Sequence, residues 1–137
     1  MILVDTTPLV ALCDPRDRLN RRALEDLDRL ARGPFVICLP VITAASFHLR
    51  HPIQRQRLRR FLSEFPVGRP APDDDPAVWL EVFDWLARYE EHEPDWADGY
   101  LAILSARHHR ARLWTYDGEF RSTWRRPDGS RIPLAVS

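Results

Sequence analysis

The chain has 137 residues, 45% hydrophobic and 29% charged, with five Trp and six Phe, a composition that excludes disorder and fits one packed domain over residues 1–137 burying roughly 68% of its unfolded surface. Its 20 basic and 20 acidic residues cancel, so bulk charge gives no reason to expect a nucleic-acid or membrane coat and any basic surface must be local. Every basic residue is arginine, which excludes lysine nucleophiles, Schiff bases and the P-loop lysine but keeps a forked donor suited to phosphate and carboxylate.

In chain order, the apolar run Ile2-Leu3-Val4 stops at Asp5-Thr6-Thr7-Pro8. It reads as a buried strand that ends in a turn or helix start and delivers Asp5 at its C-terminal end. Leu19, Ala23, Leu24, Leu27, Leu30 and Ala31 recur at three and four, one face of an amphipathic helix closed by Gly33-Pro34. Phe35 to Leu39, ending at Pro40, reads as a second buried strand. Helices are predicted from Val41 to about Arg50 and from Ile53 to Phe65, then a brief strand near Val67. Arg69 to Pro76 is a proline-rich loop, and Val78, Val82, Phe83, Leu86 and Tyr89 mark another helix. A helix from about Trp96 to His109 is apolar on most sides, Arg112 to Tyr116 is a strand ending at Asp117-Gly118, and Ile132 to Val136 is a last edge strand whose Pro133 bars a central position. The alternation predicts an α/β fold with a mainly parallel sheet of about five strands covered on both faces. Cys13 and Cys38 have no ligand spacing and fit a reducing cytoplasm as small buried hydrophobes. No signal peptide or membrane span is expected.

Ligands of open parallel sheets bind beyond the C-terminal strand ends. There the strands deliver Asp5 and Asp117, two carboxylates far apart in sequence. Asp95 and Asp98, three apart at the start of the late helix, share a face. The plain roles are an N-cap for Asp95, a turn for Asp117 and a cap on the following helix for Asp5. As a set, several acids without lysine call for a hard divalent cation such as Mg²⁺ or Mn²⁺, the arrangement used to hydrolyse phosphodiesters. The glycines supply no GxGxxG or GxxxxGK segment, the histidines no HExxH, and Asp5-Thr6-Thr7 no DxD pair, which argues against a nucleotide-binding Rossmann fold, a zinc site and a haloacid-dehalogenase-type phosphatase.

Ile2-Leu3-Val4-Asp5-Thr6 with Pro8-Leu9-Val10-Ala11, Asp95-Trp96-Ala97-Asp98-Gly99, and Thr115-Tyr116-Asp117-Gly118-Glu119-Phe120 follow one another across nearly the whole chain. In these segments the sequence resembles the PIN-domain ribonucleases, and among them the VapC-like toxins of bacterial type II toxin-antitoxin pairs. The resemblance implies a three-layer α/β/α sandwich that cuts RNA with Mg²⁺ or Mn²⁺, with Asp5, Asp98 and Asp117 as ligands and Asp95 as an auxiliary. It also implies a small antitoxin that covers the acidic rim and a homodimer formed through the early helices. The departure is Ala44: the family places a glutamate just after the threonine of Thr43-Ala44-Ala45-Ser46, and alanine has no oxygen to give a metal or water. Either the chain is a weakened or non-cleaving member, or a glutamate has been exchanged for alanine to silence a toxic activity. The rival function is a PIN fold that binds RNA or an antitoxin without cutting.

Arg50, Arg55, Arg57, Arg59 and Arg60 with His51 form the densest basic segment, and Arg121, Arg125, Arg126 and Arg131 interleave Trp124. Such residues track phosphates or stack on bases, or simply solvate a helix face and a turn. Thr6, Thr115, Arg55, Arg59 and Arg125 are the expected RNA contacts. Trp79, Trp85 and Trp114 are expected in the core and Trp96 at the border of the site, while Glu119 is expected to be solvated.

Overall fold

A computed structural model describes residues 1–70 and 75–137 of the chain. Strands β1 (Ile2–Val4), β2 (Phe35–Val36), β3 (Val67–Gly68) and β4 (Arg112–Trp114) form one sheet in the order β3-β2-β1-β4, every pair parallel. Ile2 pairs with Phe35 on one side and with Arg112 on the other, so β1 is central and is buried along its whole length. That is why its three residues are all apolar: a strand covered on both faces has no solvent side to alternate with.

Parallel neighbours require crossovers, and helices supply them. α1 (Thr6–Cys13) and α2 (Asn20–Leu30) lie between β1 and β2, α3 (Leu39–His48) and α4 (Pro52–Glu64) between β2 and β3, and α5 (Pro76–Arg88) and α6 (Trp96–Arg107) between β3 and β4, with α7 (Glu119–Ser122) following. Helix α1 packs against α2, α3 and α4, helix α5 packs against α6, and α3 meets α6. Helix α6 is buried continuously from Ala97 to Ser105, which explains its apolar composition on most sides. Among the described residues no helix is long and apolar enough to cross a membrane. Cys13 and Cys38 are buried, and burial pushes the Cys13 thiol up to about 11, which keeps it protonated and inert.

Aromatic packing ties the sheet to its helices. Phe35 on β2 touches Phe61 of α4 at 5.6 Å between ring centroids, Phe65 at 6.2 Å and Trp114 of β4 at 6.1 Å. The turn into β2 requires a glycine: Gly33 has φ +54°, and a Cβ there would sit 2.7 Å from the Phe35 nitrogen.

Four expectations are corrected. The fifth strand reduces to one parallel bridge, Leu113 with Leu134, in which the Leu113 N–H donates to the Pro133 carbonyl at 2.8 Å and the Ala135 N–H to the Leu113 carbonyl at 2.7 Å. Proline's lack of a donor limits that segment to the sheet edge, as its sequence indicated, and the pairing extends no further. The second strand stops at Val36 because Pro40, in the first turn of α3, is pre-set for a helix. Strand β4 likewise ends two residues early, since Thr115 and Tyr116 turn their hydrogen bonds toward Asp5, Thr7 and Asp26. Trp79 is not core: on α5 it is 43% exposed. The expected loop over Arg69–Pro76 falls in part on residues 71–74, outside the described residues.

Gly99 marks the closest approach of α5 and α6, where an added Cβ would lie 3.0 Å from Val82 and 3.1 Å from Trp85. Replacing Gly99 with Val overfills this contact, so Gly99→Val is expected to lower the unfolding free energy by about 1–3 kcal/mol in urea titration.

Candidate acidic site

From β1 the chain steps outward to β2 and β3 on one side and returns as β4 on the other. The C-terminal ends of β1 and β4 therefore frame the switch point, where a crevice opens in such sheets. The Asp5 N–H donates to the Trp114 carbonyl at 3.0 Å, fixing the two ends side by side.

Asp5 is the N-cap residue of α1 but makes no side-chain capping bond. Its carboxylate instead accepts from the Thr115 hydroxyl at 2.7 Å and from the Thr7 hydroxyl at 3.4 Å, and it is only 3% exposed. The capping role considered from sequence is thus not the one it plays. Thr7 also accepts the Tyr116 N–H at 2.9 Å, while Thr115 accepts the Asp117 N–H at 3.0 Å. One hydroxyl pair orients both strand-end acids.

Asp95 and Asp98 close the start of α6 reciprocally. Asp95 Oδ1 accepts the Asp98 N–H at 2.8 Å, and Asp98 Oδ2 accepts the Asp95 N–H at 3.0 Å, a capping box built from two aspartates. Asp95 is exposed, Asp98 is buried, and Asp117 is half-buried with its Oδ1 taking the Glu119 N–H at 3.0 Å in the turn before α7.

Electrostatics show that the four acids share one neighbourhood. Burial pushes Asp5 up to about 6; the Thr115 bond works against this rise, and the charges of Asp117 and Asp95 add to it. Asp98 is driven well above the usual carboxylate range, first by burial, then by the charges of Asp95 and Asp5. Among the described residues, however, no three His, Cys, Asp or Glu side chains stand in an arrangement that could hold a metal ion as they lie. The acids are neighbours in charge and not a formed ligand shell.

Ala44, half-buried on α3, lines the same cleft as Asp95, Trp96 and Tyr100. A longer acidic side chain at this position would face the start of α6. Trp96 does border the acids, as expected.

The remaining expected contacts scatter. Thr6 is the half-buried first residue of α1. Thr115 is 6% exposed and spends its hydroxyl on Asp5 and Asp117, which makes it a positioning residue and removes it from an RNA-facing surface. Arg55 donates to the Leu49 carbonyl at 2.8 Å, closing the end of α3, and Arg59 is exposed on α4. Arg57 reaches the Cys13 carbonyl at the end of α1 remote from Asp5, about 12 Å along that helix. Arg125 donates to the Trp124 and Arg121 carbonyls. Trp124 cannot stack on a base, being 3% exposed against Trp85 and Phe120. Arg126 is buried on Ser105 and the His109 carbonyl. Glu119 is half-buried and accepts from Thr123 at 3.1 Å, so it is less solvated than expected. The site residue absent from the sequence reading is Thr7, whose only signal was a hydroxyl two residues past a strand-end acid.

No protein-family model matches the chain, and no curated protein matches it significantly in sequence.

The raised Asp5 pKa has a measurable consequence. Its folded value, about 6, lies above the ordinary aspartate value of 3.8, so its contribution to stability is fully present below about 4 and is lost as pH rises through about 6. Asparagine retains the acceptor for Thr115 without the charge. The stability advantage of Asp5→Asn over the unmodified chain is therefore expected to grow between pH 4 and 6, levelling at about 3 kcal/mol, measured by urea unfolding without divalent metal.

Proposed function

We propose that the chain is a PIN-type, metal-dependent endoribonuclease fold, the toxin partner of a small antitoxin, whose cutting power is reduced by Ala44. The observation that carries this reading is the delivery of two acids by β1 and β4 to the switch point of a parallel sheet, beside Asp98 in the first turn of α6. The four-stranded parallel sheet and the two helix groups support a three-layer PIN-like sandwich.

The donor set fits a hard cation by its chemistry, since it consists of carboxylate oxygens, and at Asp5 and Asp98 burial and neighbouring charges disfavour the ionised form until a cation offsets them. Asp5, Asp98 and Asp117 would hold Mg²⁺ or Mn²⁺, which when bound polarises a phosphoryl oxygen and lowers the pKa of water. Thr115 and Thr7 hold the Asp5 carboxylate at the strand end. The Asp95–Asp98 box fixes the first turn of α6, and exposed arginines are left to meet RNA phosphates. Ala44 offers no oxygen to orient water, which favours a second reading in which the fold binds RNA or an antitoxin without cutting. Exposed Leu80 and Phe83 on α5 support a protein partner, antitoxin or second copy.

Side-by-side digestion of total RNA with Mn²⁺ or Mg²⁺, and EDTA as control, tests the reading. Ala44→Glu is expected to cut at least about 100-fold faster than the unmodified chain, the scale of one positioned acid–base group. Asp5→Asn in that background abolishes cutting. Folded proteins that all leave RNA intact would sink the nuclease reading and leave the binding module. In the same proteins Mn²⁺ is expected to raise the Tm of the unmodified chain, and to do so less in Asp5→Asn.

A further inference from the structure

Helix α2 buries two of its residues, Ala23 and Asp26. An apolar side chain is the ordinary occupant of such a position, and a carboxylate in its place costs stability unless it is hydrogen-bonded. Asp26 is 5% exposed. Its Oδ2 accepts the Tyr116 hydroxyl at 2.7 Å, and the Tyr116 oxygen in turn accepts the Trp114 indole N–H at 3.0 Å. The Arg22 guanidinium lies 4.8 Å from the Tyr116 ring centroid, and its Nε stands 3.7 Å from the same Asp26 oxygen, so it holds ring and carboxylate together. Arg29 stands 3.7 Å from the other oxygen.

These bonds act where the sheet stops guiding the chain. The pairing of β1 with β4 closes at Val4 and Trp114, and Asp117 lies beyond it. Thr115 and Tyr116, in between, are therefore directed by side-chain bonds. Two of these lead back to the acidic site: the Thr115 hydroxyl donates to Asp5, and the Tyr116 N–H donates to Thr7, which itself donates to Asp5. The Asp5 oxygens that those hydroxyls use are the ones a cation needs. The bond to Asp26 is different, because its anchor is on α2, outside the acid set. A hydrogen bond also fixes direction in a way that apolar contact does not.

We propose that Asp26 and Tyr116 are positioning residues of the acidic site: their hydrogen bond holds the exit of β4 so that Asp117 joins Asp5 in holding a divalent cation. The proposal rests on the cation-site reading above and deepens it, because it makes cation affinity depend on a helix that contributes no ligand. Residues one hydrogen bond removed from the ligands act in this way on metal sites, by fixing orientation and not by touching the ion.

The test is Mn²⁺ binding, read from the electron paramagnetic resonance signal of free Mn²⁺, with each protein checked for folding by circular dichroism and for its Tm. The unmodified chain is compared with Tyr116→Phe, which removes the hydroxyl and keeps the ring, with Asp26→Ala, which removes the acceptor, and with Asp26→Asn, which keeps an acceptor oxygen without the charge. Phe61→Leu, in the contact of α4 with Phe35 and outside this network, is the destabilised control. Tyr116→Phe and Asp26→Ala are expected to weaken Mn²⁺ binding about tenfold or more, while Asp26→Asn and Phe61→Leu stay within about threefold of the unmodified chain. Full affinity in Tyr116→Phe overturns the positioning role and leaves the cation reading standing; should Asp26→Ala not fold, Tyr116→Phe decides alone. Equal losses in Asp26→Asn and Asp26→Ala assign the effect to charge and overturn the role of the bond. A loss in Phe61→Leu as large as in Tyr116→Phe assigns it to general loosening and overturns the proposal as well. Mn²⁺ uptake absent from the unmodified chain, or unchanged by Asp5→Asn, removes the cation reading and this proposal with it.

Discussion

Asp5 is carried into the interior by the central strand, and most of the local architecture answers that one burial. A carboxylate at 3% exposure needs donors close by. They come from the hydroxyls of Thr115 at the end of β4 and Thr7 in the first turn of α1, together with the Thr6 backbone N–H. Because Thr115 also holds the Asp117 backbone and Thr7 the Tyr116 backbone, satisfying Asp5 fixes the exit of β4. Tyr116 continues the chain outward: its hydroxyl donates to buried Asp26 on α2 at 2.7 Å and accepts the Trp114 indole N–H at 3.0 Å. Three separate stretches of the chain are thus locked to one another by polar groups inside an otherwise apolar core.

The acids themselves form a gradient. Asp5 and Asp98 are buried and hold their charge poorly, whereas Asp95 at the opening is exposed. An entering cation would meet Asp95 first and the reluctant carboxylates behind it, where its charge has most to offset. Ala44 lies on the α3 side of the cleft that Asp95 lines. Its methyl group leaves the cleft wall apolar at that point, between Asp95 and the aromatic side chains of the same lining.

The sequence made the strand ends legible because β1 and β4 are short apolar runs punctuated by aspartate, and a fully buried parallel strand leaves no other pattern. It made α2 and α6 legible for opposite reasons, a strong amphipathic period in one and burial all round in the other. It could not show that Asp98 reaches back to the Asp95 N–H, because a capping box of two aspartates departs from the usual glutamate at that position. Nor could it distinguish Trp124, sunk between Trp85 and Phe120, from Trp79, which faces out. Trp124 sits among polar residues in the sequence and Trp79 among apolar ones, the reverse of where their rings lie, and only packing decides which way each ring turns. The last strand failed for a related reason: an apolar run with a proline places a segment at an edge but does not say how many residues of it will pair.

Helix α6 joins the core and the rim in one element. From Ala97 to Ser105 it has no solvent face, and Asp98 sits in its first turn. The acid is therefore positioned by side chains such as Ile103 and Leu104 at the middle of the helix as much as by its own hydrogen bonds. Repacking around those residues translates or rotates a rigid rod whose tip carries the charge. Thermal tolerance and site alignment are for this fold a single variable, so a library selected only for a tighter core would also be re-aiming its acid.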